Sequence, residues 1–206
     1  LASSEPLVWY PAEVNTSLRP GWFHHPAEDS SVRSADELFE IWRRSVGGNS
    51  VLLLNVPPTR AGLVHATDAA ALAGLGDRVR DFFARDVAGR ARRTPSSGVL
   101  GAAGGWVPDP AEPAPSLELT WDEPVELDSV VLEEDVEHGQ QLEHVLVEGV
   151  LPDGGVVELA RVRSVGHRRA AAVPPTPVVA VRVVVEQRRG DCRLAAVRAV
   201  ARRGRG

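Results

Sequence analysis

The residues best suited to chemistry fall between Trp9 and Asp29, in WYPAEVNTSLRPGWFHHPAED. There the aromatic rings of Trp9, Tyr10, Trp22 and Phe23, the carboxylate of Glu13 and the adjacent histidines His24 and His25 surround an Arg19-Pro20-Gly21 turn. Flat aromatic faces suit sugar C–H surfaces or a deoxysugar methyl, and an isolated carboxylate suits hydroxyl binding or proton transfer. Each residue also has a plainer use: Trp22 and Phe23 can close a core, and Glu13 can stand as a solvated loop carboxylate. Because His24 and His25 are adjacent rather than a helical turn or two strand positions apart, no shared metal site is expected of them.

These groups need a frame. Val14 to Leu18 is short and β-prone, and Pro20-Gly21 fits a tight turn, so the stretch reads as a strand end opening into a loop. Ser34 with Glu37 forms a capping box, and Leu38, Ile41, Trp42 and Val46 recur at helical spacing, which predicts a helix from Ala35 to about Val46. VLLLNV, Val51 to Val56, is a continuous apolar run, as expected of a parallel strand buried on both faces. After the loop from Asn55 to His65, Thr67 or Asp68 can cap a further helix that runs to about Phe83. Two units of strand, loop and helix fit the closing part of a (β/α)8 barrel, whose sites lie at the C-terminal ends of its strands. Trp22 and Asn55 fall at or just beyond such ends, where Asn55 either touches a ligand or simply terminates its strand.

Beyond Arg90 the composition shifts to Arg, Pro, Gly, Ala and Ser up to Pro115, a linker or an irregular first strand. The period then becomes two: SLELTW places Leu117, Leu119 and Trp121 on one face, and further β-prone runs follow to the end, with turns at Glu137-His138-Gly139 and Pro152-Asp153-Gly154-Gly155. Several short strands with regular turns predict an antiparallel β-sandwich. The expected division is therefore 1–90 for the α/β part, 91–115 for the connection and 116–206 for the sandwich.

With 28 acidic against 23 basic residues the net charge is −5, which opposes phosphate-backbone binding by the chain as a whole. The single cysteine, Cys192, excludes an internal disulfide. No apolar run approaches the roughly 20 residues of a membrane-spanning helix. Nucleic acid and membrane are not expected as partners. The chain lacks methionine, which suggests an internal piece of a longer protein, so localisation and oligomeric state stay open.

The run from Trp9 to about Ala88, with PAEV, RPGWF, SVG, LLLNVPP and GLVH, resembles the C-terminal part of the catalytic domain of α-L-fucosidases, glycoside hydrolase family 29. Thr59, Gly48 and His24 depart from that family's usual acidic, basic or polar, and tyrosine residues. In the second half, WVPDP, the segment Glu133 to Gln141 and Gly166-His167-Arg168 resemble the discoidin-type, galactose-binding-like sandwich that follows the barrel in many members. The resemblance implies retaining, exo-acting hydrolysis of terminal fucose on glycans or glycoconjugates by two carboxylates, with no cofactor. It also implies that the nucleophile aspartate precedes this chain, with Glu13 a candidate for acid/base or substrate contact and Trp22, Phe23, His25 and Asn55 candidates for substrate binding. The other reading is a non-catalytic carbohydrate-binding or interaction protein that works through the sandwich.

Overall fold

A computed structural model of the chain describes residues 11–101, 104–137 and 139–204. Trp9, Tyr10 and His138 lie outside the described residues.

The first part alternates strand and helix. β1 (Glu13–Ser17) pairs in parallel with β2 (Val51–Asn55), Glu13 opposite Val51 and Ser17 opposite Asn55. Between them runs α1 (Ala35–Ser45), opened by the capping box: Ser34 Oγ accepts the Glu37 N–H, and the Glu37 carboxylate accepts the Ser34 N–H. α2 (Ala66–Ala84) follows β2. One expectation is corrected here. The cap of α2 is His65, whose Nδ1 accepts the Thr67 N–H, while Asp68 is fully buried and bonded elsewhere. In β2, Val51 and Leu53 are about half exposed, since among the described residues β1 is the only strand alongside.

The rest is mostly antiparallel sheet. The segment expected as a linker or irregular strand contains β3 (Arg92–Pro95), β4 (Val99–Leu100) and β5 (Trp106–Val107). The strands β6 (Ser116–Glu134), β7 (Leu142–Val150), β8 (Val156–Arg163), β9 (Arg169–Ala172), β10 (Pro177–Arg188) and β11 (Leu194–Ala201) follow. SLELTW and the β-prone run VELDSVVLEE that follows it form the single strand β6. Its first half pairs with β3 and β10 and its second with β11 and β9. Between the halves the register with β10 slips around Asp122-Glu123-Pro124; an irregularity suits proline, which has no ladder N–H to donate.

One core lies between the sheet faces, with Leu117, Leu119, Val181 and Val183 from the part around β10 and Val130, Leu132, Val197 and Ala199 from the part around β11. Both large aromatics of this half are inside it. Trp106 Nε1 donates to the Ser97 carbonyl and Trp121 Nε1 to the Val87 carbonyl, so each ring is buried with its polar edge satisfied.

A second core joins the helices to the back of the sheet. Trp42 and Phe82 pack on Val131 of β6 and Val200 of β11, with Phe39, Leu75, Val79 and Phe83 around them. Main-chain bonds run along the same seam: Val87 N–H to the Ala199 carbonyl, Ala201 N–H to the Arg85 carbonyl and Ala170 N–H to the Gly47 carbonyl. At the end of β6 the nearly buried Glu134 carboxylate accepts the N–H groups of Gln141, Leu142 and Gly166, tying two loops to one strand end. Burial raises its pKa against the lowering effect of those three donors.

Candidate functional site

The loop after β1 is built on Ser17 and Asn55, the paired last residues of the two parallel strands. Asn55 Nδ2 donates to Ser17 Oγ and to the Trp22 carbonyl, both at 3.0 Å, and Ser17 Oγ donates to the Gly21 carbonyl at 2.9 Å. The turn at Pro20-Gly21 is thus fastened to both strand ends. It carries Trp22, 52% exposed, and Phe23, 78% exposed, out of the protein surface.

Below the turn, Arg19 is only 1% exposed and is held by acids from two further elements. Its Nε donates to both carboxylate oxygens of Asp68, at 3.1 and 3.0 Å, and its Nη2 stands 2.9 Å from Asp68 Oδ1. Its Nη1 stands 2.9 Å from Asp29 Oδ1, and His24 Nε2 stands 3.2 Å from the same oxygen. These two contacts have ion-pair distances but not hydrogen-bond angles. His65 Nε2 faces the other Asp29 oxygen at 3.5 Å, and the His24 and His65 rings lie 5.6 Å apart, tilted by 38°. The Asp29 carboxyl is held below its ordinary range. Desolvation, the largest single influence, pushes it up, but Arg19, His65 and His24 together outweigh that.

His24, Asp29 and His65 present three ligand-type atoms within 4.8 Å of one another. The bonds in place make them an ion-paired network rather than a ready ligand set. Because His65 Nδ1 accepts the Thr67 N–H, its own proton belongs on Nε2, directed at Asp29 instead of leaving a lone pair for an ion. Asp29 Oδ1 is meanwhile shared by Arg19 and His24. Chemically the network closes the loop from Arg19 to Asp29 on itself and pins it to the start of α2.

The structure brings Trp22 and Asn55 together and sets Phe23 beside them on the same loop. His25 is exposed and precedes a single helical turn at Pro26–Glu28 without capping it through its side chain. Glu13 stands apart: it is exposed at the opposite end of β1, four residues or about 13 Å of strand from Ser17. Arg19, Asp29, His65 and Asp68 were not expected as a group. Arg19 in the turn and Asp68 at the start of α2 are 49 positions apart, and a pairing at that separation leaves no periodic trace in sequence.

No family model matches the chain. Among curated proteins, "Putative alpha-L-fucosidase 1" of Oryza sativa subsp. japonica is 26% identical over 199 residues, covering 89% of this chain and 38% of its own length. Alpha-L-fucosidase 1 of Arabidopsis thaliana is 40% identical over 83 residues, 40% of this chain and 16% of its own. Among solved structures, SpGH29 superposes with a TM-score of 0.82 at 29% identity, covering 94% of this chain and 44% of that one. The chain matches the C-terminal portion of family 29 α-L-fucosidases. A Ruminococcus gnavus GH29 fucosidase, solved with fucose, shares the fold with a TM-score of 0.84 at 20% identity, covering 93% of this chain and 41% of that one. The mostly antiparallel sheet with few helices is therefore a fucosidase-type arrangement, and this chain spans less than half the length of each of these α-L-fucosidase relatives. Among the described residues no helix is long and apolar enough to cross a membrane.

Proposed function

We propose that this chain is the C-terminal part of a retaining exo-α-L-fucosidase that releases terminal fucose from glycans or glycoconjugates. The observation that carries this reading is the fastened aromatic loop: Trp22 and Phe23 stand exposed at the C-terminal ends of two parallel strands, held from beneath by Asn55 and by the Arg19 network. That is where a (β/α)8 barrel places its site. β1, β2 and their helices are then the last units of the barrel, residues 1–90, followed by a connection at 91–115 and a discoidin-type, galactose-binding-like sandwich at 116–206.

In this reading Trp22 and Phe23 form an apolar wall against the deoxysugar methyl, Asn55 fixes that wall, and His25 borders the sugar. Two carboxylates about 5 Å apart would do the chemistry, one attacking the anomeric carbon and the other protonating the leaving oxygen and then activating water. The nucleophile belongs to the sequence before Leu1. Glu13, the candidate here for the acid/base group or for substrate contact, lies at the far end of β1 from Trp22. Burial of Trp106 and Trp121 supports a packing role for the sandwich over a separate sugar platform.

The experiment is to assay the full-length protein and the 206-residue chain on an aryl α-L-fucoside, following the anomeric configuration of the first product by NMR. The full-length protein should release fucose with retention, and the chain alone should show no turnover, since one carboxylate without a nucleophile opposite it cannot reach the covalent intermediate. Inversion, or turnover by the chain comparable to that of the whole protein, would refute the assignment.

A second expectation concerns the wall itself. In the full-length protein Trp22→Ala should lower kcat/KM at least several-fold, as expected for loss of an aromatic contact of about 1 kcal/mol or more. Its circular dichroism should stay unchanged, because the ring is half exposed and contributes little to the core. Kinetics equal to the parent's would remove Trp22 from the site.

A further inference from the structure

We propose that the cleft between the end of α1 and β9 binds a tetrahedral oxyanion, a sulfate or phosphate group carried on a sugar. The cleft holds about 210 Å³ and is lined by Arg43, Arg44, Gly47, Gly48, Arg169 and Ala170. Three arginines and no acidic residue line it, in a chain whose net charge is −5, so the local excess of positive charge runs against the composition.

Among the described residues one carboxylate serves these arginines. Glu40 takes Arg43 through two hydrogen bonds of 3.2 and 3.0 Å and reaches Arg44 only at 3.9 Å, leaving Arg44 largely in solvent. Arg169 has neutral partners: its Nε donates to the Ser164 carbonyl, and its Nη2 to the Arg163 carbonyl and Ser164 Oγ. Those bonds fix the plane of the guanidinium without neutralising it. Burial alone pulls its pKa down from the ordinary value, as expected of a half-desolvated cation with no counter-ion among the described residues.

The backbone cannot supply the anion's other contacts. The Gly47 and Gly48 N–H groups already bond to the Trp42 and Ser45 carbonyls, so recognition rests on the arginine forks, which match tetrahedral oxyanions well. Gly47 brings the helix end close to β9, where a Cβ in its place would meet Ala170 Cβ at 3.1 Å and the Arg43 carbonyl at 2.3 Å. Arg169 on the sheet and Arg43 and Arg44 on the helix thereby face one space. The inference does not depend on the fucosidase reading.

The test uses the full-length protein. Thermal unfolding is followed with sodium sulfate or sodium phosphate at an ionic strength matched by sodium chloride, and a monosaccharide sulfate and the corresponding phosphate are titrated by calorimetry. Sulfate or phosphate should raise Tm beyond chloride, and Arg169→Gln should weaken binding by about tenfold or more, the scale of one charge-assisted hydrogen bond. The double variant Arg43→Gln/Arg44→Gln leaves β9 and its loop untouched and should weaken binding likewise, so the proposal stays testable if Arg169→Gln unfolds. Preference for one sugar ester over the other names the source, and either order sustains an oxyanion site. A Tm shift that chloride reproduces, or affinity unchanged in the double variant, would overturn it.

Discussion

Phe82→Ala will cost about 3–5 kcal/mol of unfolding free energy, the range for truncating a buried aromatic side chain. Phe82 is fully buried, and its ring lies 5.2 to 5.9 Å from those of Phe83, Phe39 and Trp42. It is the residue of α2 at which the helices, Val131 and Val200 meet, so truncation opens a cavity bounded by both helices and the sheet. Two rigid layers have little room to collapse into such a hole, which places the loss toward the upper part of the range. Urea denaturation of the full-length protein measures it. A loss under about 1 kcal/mol would show that the helices do not depend on this core. Phe82→Leu, which keeps most of the volume, should recover much of the stability.

The second large effect is expected at Asp68. With Arg19 fully enclosed and bonded to both Asp68 oxygens, Asp68→Ala leaves a buried guanidinium with only the partly exposed Asp29 to balance it. Breaking one side of a buried pair costs about 3–5 kcal/mol, because the surviving charge keeps its desolvation penalty. The double variant Arg19→Met/Asp68→Leu removes both charges and should be much closer to the parent. If Asp68→Ala alone lies within about 0.5 kcal/mol of the parent, Arg19 is not held as described. On the proposed fucosidase reading there is a second readout: Asp68→Ala should lower fucoside turnover along with stability, since the loop bearing Trp22 starts at Arg19.

These two sites differ in how readable they were. Ser34 and Glu37 announce α1 because a capping box is a local contract between residues three apart. Leu117, Leu119 and Trp121 announce the core face of β6 because a strand alternates. The strand and turn pattern placed Trp22 and Asn55 at or just beyond strand ends, and that is where they lie. What local pattern could not show was partnership at a distance. Asp68 has the sequence profile of a helix cap, and only the fold turns it toward Arg19. Nor did alternation reveal that β6 is continuous through Pro124, since a proline within a β-prone run argues against an unbroken central strand.

β6 has a consequence for the order in which the protein can form. Its two halves are completed by β10 and β11, and β11 places Val197 and Ala199 in one core and Val200 in the other. A chain emerging from the ribosome therefore makes both helices long before the surface they rest on exists. Such distant pairings fold slowly, because loop closure must precede the contacts that reward it. Until Leu194–Ala201 is released, Trp42 and Phe82 have no finished floor, and a nascent chain exposes them to chaperones or to its neighbours. β11 is thus the strand that licenses α1 and α2 to settle.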